Sequence, residues 1–70
     1  MSYPLAFYVL KDGKEKFLAR DLNDGFTFED DMFAPDVVQA QNADETEHIK
    51  AEYQSMFSGA SLQTKPFPTL

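Results

Sequence analysis

The chain has 70 residues, a net charge of −6, 43% hydrophobic and 14% aromatic residues, and no cysteine. This composition predicts a single small folded domain, because disordered chains are poor in both hydrophobic and aromatic residues. It excludes disulfides and thiolate metal sites, and one histidine is too few for a histidine-built zinc site. The apolar run YPLAFYVL is too short to span a membrane and lacks the features of a signal peptide, so we expect a cytoplasmic protein without membrane contact.

The negative charge is concentrated in the middle of the chain. Residues 1–28 contain four basic and four acidic residues, whereas residues 29–52 contain eight acidic residues and one lysine, a balance of −7. Such a segment repels phosphate groups, so direct nucleic-acid binding is disfavoured. We expect it to attract a basic protein partner.

Two strands joined by a tight turn are predicted at the start of the chain. The stretch SYPLAFYVL is rich in aromatic and other strand-favouring residues, KDGK is a turn signal, and EKFLARDL is typical of a second strand. A three-residue loop would set Phe7 opposite Phe17 and Leu5 opposite Ala19, with both pairs on one face of the sheet. A two-residue Asp-Gly turn would instead set Leu5 opposite Arg20. We prefer the three-residue loop because it pairs apolar residues with each other.

The stretch RDLNDGFTFEDD has the composition of either a calcium loop or a hairpin turn. An EF-hand loop requires glycine at its sixth position and glutamate at its twelfth. Counting from Asp21, glycine arrives at the fifth position as Gly25, and the twelfth residue is Met32. We therefore predict a turn at Asn23-Asp24-Gly25 and no metal site. Phe26, Thr27 and Phe28 then alternate as a short third strand.

A loop and a short fourth strand are predicted next. EDDMFAPD contains a proline that interrupts regular pairing, and Val37 and Val38 favour a strand over DVVQA. The alternative for this segment is a helical turn capped by Asp36.

The helix has the clearest local signals. Asn42 and Glu45 have the spacing of a capping box, and Gly59 is a typical C-terminal stop, so we predict a helix over residues 43–58. We expect His48 to face solvent and to pair with Glu52 one turn away. The apolar stripe at helical spacing consists of Ile49, Tyr53, Met56 and Phe57, extended by Ala43 or Thr46.

The C-terminal segment contains two prolines and few strand signals. Residues 62–64 are predicted to add an edge strand, and residues 65–70 to form a loose, extended segment. The expected architecture is a single α+β domain over residues 1–70. It consists of a small antiparallel meander of three to four strands with one helix on one face, in the order β-β-β-(β)-α-(β).

Catalysis is not predicted. The chain has no nucleophile motif, and a domain of this size has little room for an enclosed pocket around two carboxyl groups. We expect neither an enzyme nor a bound cofactor. Four large apolar residues exceed what one helix and one sheet face would cover, and an exposed patch of this kind indicates a protein interface. These residues are Tyr8, Leu18, Phe33 and Phe67.

The leading hypothesis is a small acidic, non-enzymatic interaction module that binds a basic protein surface, as an inhibitor or a nucleic-acid mimic in its narrower forms. The alternative is a homo-oligomeric structural or accessory protein that assembles through exposed aromatics and a sheet edge. A solvated acidic surface that only confers solubility is the simplest reading of the same charges. The predicted partner contacts are Glu29, Asp30, Asp31, Met32, Phe33, Asp36, Asp44 and Glu45.

Overall fold

The computed structural model describes residues 3–57 and 61–68 and confirms the predicted α+β class. The elements are β1 (Leu5–Lys11), β2 (Lys14–Arg20), β3 (Phe26–Glu29), β4 (Gln39–Ala40), α1 (Ala43–Met56) and β5 (Gln63–Pro66). The antiparallel sheet has the strand order β3-β2-β1-β4, with β5 bonded to β1. Within the described residues, no helix has both the length and the apolar content that crossing a bilayer requires.

The β1–β2 register differs from the prediction. Asp12 (φ 54°) and Gly13 (φ 78°) both adopt left-handed backbone conformations, which is the signature of a two-residue turn. The strands pair as Tyr8 with Phe17 and Val9 with Lys16, so the predicted three-residue loop is wrong. A two-residue turn of this hand matches the natural twist of the two strands. Apolar pairing was a poor guide because both faces of this sheet are covered by apolar side chains.

β1 and β2 pair over only part of their lengths, and later residues fill the space between their other ends. The β1–β2 pairs begin at Tyr8, whereas Leu5 pairs with Ala40 of β4. On β2, the Arg20 N–H donates to the Asp36 carbonyl (3.0 Å), and the Leu18 carbonyl accepts from Val38 (2.9 Å). The opposite edge of β1 is occupied by β5. Residues 36–40 therefore lie between β1 and β2, which gives the sheet its curl.

Two apolar clusters form the core, one on each face of the sheet, because successive strand residues point to opposite faces. We call them the helix side and the loop side. The helix side is formed by the buried residues Leu5, Phe7, Leu18, Val38, Ala40, Ile49 and Tyr53. The loop side is formed by the buried residues Ala6, Phe17, Ala19 and Val37, against which Tyr8, Met32, Ala34 and Phe67 pack.

Helix α1 begins as predicted. The Asn42 side chain accepts a hydrogen bond from the Glu45 N–H (2.9 Å), and the Glu45 carboxylate accepts one from the N–H of Gln41, which precedes the cap. The helix ends at Met56, two residues before the predicted end, and the predicted stop at Gly59 lies outside the described residues. The buried stripe consists of Thr46, Ile49 and Tyr53.

The turn between β2 and β3 is confirmed. Its carboxylate, Asp21 Oδ1, accepts hydrogen bonds from the N–H groups of Asn23 (2.8 Å) and Gly25 (2.9 Å). A side chain at Gly25 would place its Cβ 2.8 Å from Asp21 Oδ2, so the Asp21 carboxylate would have to shift. The turn therefore uses its acidic group to satisfy its own backbone.

The C-terminal strand extends further than the predicted 62–64. Strand β5 pairs with β1 as far as Pro66, and the Phe67 N–H donates to the Pro4 carbonyl (3.1 Å). Phe67 then packs on the loop side. The described part of this segment is thus fixed to the sheet.

Candidate interaction surface

The acidic loop, residues 30–36, covers the loop side and presents one aromatic ring to solvent. Met32 and Ala34 pack against the loop-side cluster, whereas Phe33 is 64% exposed. The Asp31 carboxylate accepts the Phe33 N–H (2.9 Å), and the Asp31 carbonyl accepts the Ala34 N–H (3.1 Å). This local turn alternates inward and outward side chains. The outward Phe33 ring lies 6.1 Å, centroid to centroid, from the ring of Phe67.

The carboxyl groups in and beside the acidic loop differ in their electrostatic state. A side-chain hydrogen bond with Asp36 raises the pKa of Glu29, and the nearby charges of Asp30 and Asp31 raise it further. Asp30 instead forms an ion pair with Lys16, and this hydrogen bond lowers the pKa of Asp30. In the acidic loop, the negative charge of Asp30 is therefore balanced by Lys16. The carboxyl groups of Asp36 and of Glu29, which precedes the loop, instead repel each other.

The remaining two predicted contact residues lie on another part of the molecule. Asp44 and Glu45 are in the first turn of α1, and Glu45 is engaged in capping. They line a shallow groove on the helix side together with Arg20, Val38, Gln39, His48 and Ile49. The eight predicted contact residues thus divide into six on and beside the acidic loop and two at the helix N-terminus.

Arg20 and Glu52 form an ion pair that the sequence analysis missed. The guanidinium donates to both Glu52 oxygens, at 2.7 and 2.8 Å, and its central carbon lies 4.5 Å from the centroid of the Phe26 ring. The hydrogen bond from Arg20 lowers the pKa of Glu52. Glu52 is thus bonded to β2, whereas a pairing with His48 was predicted. The two partners are far apart in sequence, so no local spacing could have indicated the pair.

A second exposed aromatic surface was also missed. The Tyr53 ring lies 5.0 Å from Phe57, 5.9 Å from Phe26 and 6.4 Å from Phe28, measured between centroids. Phe28 and Phe57 are 37% and 38% exposed, and Met56 is 49% exposed. We call Phe26, Phe28 and Phe57, whose rings lie close to that of Tyr53, the β3 apolar patch. Helical spacing identified Phe57, but as part of the apolar stripe of the helix.

The four residues predicted to form an apolar surplus have different environments. Leu18 is fully buried on the helix side, so its assignment to the surplus is wrong. Tyr8 and Phe67 are half-buried on the loop side, and Phe33 is exposed. The Leu18 error follows from the register, because the two-residue turn directs Leu18 toward the helix.

The described residues form an open cleft but no cluster suited to a metal ion. Within residues 3–57 and 61–68, no group of three or more His, Cys, Asp or Glu side chains is placed to hold a metal ion. An open cleft of about 630 Å³ lies near the β1–β2 turn, lined by residues that include Lys16, Asp30 and Tyr53. Of the three charged residues that line it, Lys16 and Asp30 form an ion pair with each other, and the third is Lys11.

Comparison with known proteins gives no identification. No protein-family model matches the chain, and neither curated proteins nor solved structures provide a match.

Proposed function

We propose that the protein is a non-enzymatic interaction module that binds a basic protein surface through its acidic loop. The observation that carries this proposal is the position of Phe33, an exposed ring within a loop that also contains Asp30, Asp31 and Asp36. Aromatic residues supply much of the binding energy at interfaces, and surrounding charges set the rate and specificity of association.

The architecture of the loop supports a contact role for Phe33. Its neighbours Met32 and Ala34 are used in packing, and the Asp31 carboxylate holds the turn that directs the ring outward. The Asp31 hydrogen bond fixes the backbone at Phe33, so less backbone freedom is lost on binding, which favours affinity.

The proposal is tested by site-specific photo-crosslinking in the cells that produce the protein. A photoreactive benzoylphenylalanine replaces Phe33 in one variant and Leu22 in the control. Leu22 is fully exposed at the β2–β3 turn, so it reports random collisions. We expect one dominant heterologous product from position 33 and none from position 22. The captured protein should have a basic surface, and Asp31→Asn with Asp36→Asn should reduce the yield.

Two results would contradict the proposal. Equal labelling from both positions would show that the acidic loop has no preferred partner. A product at twice the mass of the chain would instead identify self-association, and the homo-oligomeric alternative would replace the basic partner.

A further inference from the structure

We propose that the outer edge of β3 accepts an extended strand from the partner, and that this strand alternates apolar and basic residues. The inference rests on the proposed function, because it takes the partner to be basic. It adds a place and a mode of binding: main-chain hydrogen bonds along a sheet edge, with side-chain specificity on the two faces.

The backbone groups of β3 that point outward follow from the hydrogen bonds of β2. The Asp21 N–H bonds to the Gly25 carbonyl (3.1 Å), which directs the backbone groups of Gly25 toward β2. Thr27 and Glu29 continue this alternation, so Phe26 and Phe28 direct their N–H and C=O groups away from β2. Among the described residues, β3 pairs with β2 alone. The edge therefore offers two donors and two acceptors.

The other outer strand is less suited to accept a strand. Ala6 pairs with Lys65 of β5, and the Phe67 N–H bonds to the Pro4 carbonyl. The backbone groups of the alternate residues Thr64 and Pro66 therefore point away from β1. Proline has no N–H and is a common device for blocking edge pairing. Of the two edges, β3 is the one that can extend the hydrogen-bonded ladder.

The two faces beside β3 define which side chains the added strand would carry. On the helix side it would meet the β3 apolar patch, which includes the partly exposed Phe28 and Phe57. On the loop side it would meet Thr27 and Glu29, with Asp36 close to Glu29. Because side chains alternate along a strand, apolar residues would face the patch and lysine or arginine would face the carboxyl groups.

Charge also favours a basic strand over a second copy of this chain. Each copy of this chain carries a net charge of −6, so two copies repel each other as they approach. A lysine-bearing strand would replace this repulsion with attraction.

The experiment uses the full chain, labelled with ¹⁵N, and two capped synthetic peptides of about seven residues, a typical strand length. One peptide alternates lysine and valine. The control has the same composition, but its valines are contiguous. We expect the alternating peptide to bind about tenfold more tightly, a difference of about 1.4 kcal/mol. It should also slow amide hydrogen exchange at Phe26 and Phe28 about tenfold, because their N–H groups become bonded.

N-methylated peptides provide a test that leaves the protein unchanged. Methyl groups on all valine nitrogens block one edge of the added strand, and methyl groups on all lysine nitrogens block the other. In antiparallel addition the valines lie opposite Phe26 and Phe28 and bond to them, so valine methylation should abolish binding and lysine methylation should not. The reverse result would indicate parallel addition. Equal effects of the two methylations would overturn strand addition.

The inference and the proposed function fail in different ways. Strand addition is overturned if both peptides bind equally and the amides of Phe26 and Phe28 still exchange freely. A specific crosslink from position 33 would still support the acidic-loop interface in that case. Absence of binding by either peptide also overturns strand addition. Failure of the proposed function is read from the crosslinking control at Leu22, which the peptide experiment does not use.

Discussion

The two faces of the sheet are covered by different means. On the helix side, α1 packs large side chains such as Phe7 and Leu18 under Ile49 and Tyr53. The helix is tied to the sheet by the Arg20–Glu52 ion pair. This face combines regular backbone hydrogen bonding with deep apolar burial, so it contributes most of the stability of a domain this small.

On the loop side, the cover consists of the acidic loop and Phe67, which lack regular secondary structure. The sheet residues beneath them include Ala6 and Ala19, both fully buried. Small side chains allow an irregular backbone to approach the sheet closely without leaving cavities. The contrast shows that a face can be buried without a second helix where small residues such as Ala6 and Ala19 leave room for a loop.

The largest expected effect comes from the helix side. Phe7→Ala should lower the free energy of unfolding by about 3–5 kcal/mol, because the ring is fully buried and its removal leaves a cavity. A 70-residue domain has roughly 4–10 kcal/mol in total, so most of its stability would be lost. Urea titration followed by circular dichroism measures this change. Phe33→Ala is the control and should cost less than about 0.5 kcal/mol. Similar losses for the two variants would remove the distinction between buried and exposed rings.

An intermediate effect is expected on the loop side. Ala19→Leu adds volume beneath the acidic loop and should cost about 1–3 kcal/mol. It should also speed amide exchange at Arg20, whose N–H bonds to Asp36. Ala51→Leu, on the exposed part of α1, is the matched control and should change the stability by less than about 0.5 kcal/mol. If both leucines are tolerated equally, the loop is not closely packed on Ala19.

The smallest effect is a difference in pH dependence. The hydrogen bond from Arg20 lowers the pKa of Glu52 below its usual value of 4.5, so this pair stabilises the fold above that value. The contribution is lost as the pH falls through the lowered pKa of folded Glu52. On the loop side, the hydrogen bond with Asp36 raises the pKa of Glu29 above its usual value of 4.5. The stabilising contribution of Glu29 is therefore present below pH 4.5 and is lost as the pH rises through the raised pKa.

Two glutamine variants separate these opposite contributions. Glu52→Gln should be less stable than the unmodified protein at neutral pH, by less than about 1 kcal/mol for a partly exposed pair. Glu29→Gln should be more stable at neutral pH, because it removes the repulsion from Asp36. Both differences should shrink in acid, as measured by urea unfolding over a pH series. Differences of the same sign would contradict the assignment of the two pairs.

Local signals in the sequence were sufficient for much of the fold. The N-terminal cap of α1, the Asp21–Gly25 turn and the short strand β3 all depend on residues within a few positions of one another. Such features follow from backbone geometry and side-chain capping, which act over short separations.

Features that depend on distant residues were not predicted. The register of the first hairpin was misassigned because Phe17 and Ala19 were placed on the same face as Leu5 and Phe7. They lie on the opposite face, which the acidic loop and Phe67 cover. The Arg20–Glu52 pair and the Tyr53 aromatic contacts join elements whose relative placement no local pattern specifies. For the acidic loop, composition correctly located the charge, but the outward position of Phe33 depends on the packing of Met32 and Ala34.

The incomplete pairing of β1 with β2 has a consequence for folding during synthesis. The hairpin of β1 and β2 can close only beside its turn, because the space at Leu5 and Ala19 is filled by residues 36–40. The other edge of β1 is completed by β5, which follows the other described strands along the chain. Contacts of such long sequence separation form slowly, since the intervening chain must first be ordered. Among the described strands, β1 therefore emerges before the other four but waits for β5 to complete its pairing.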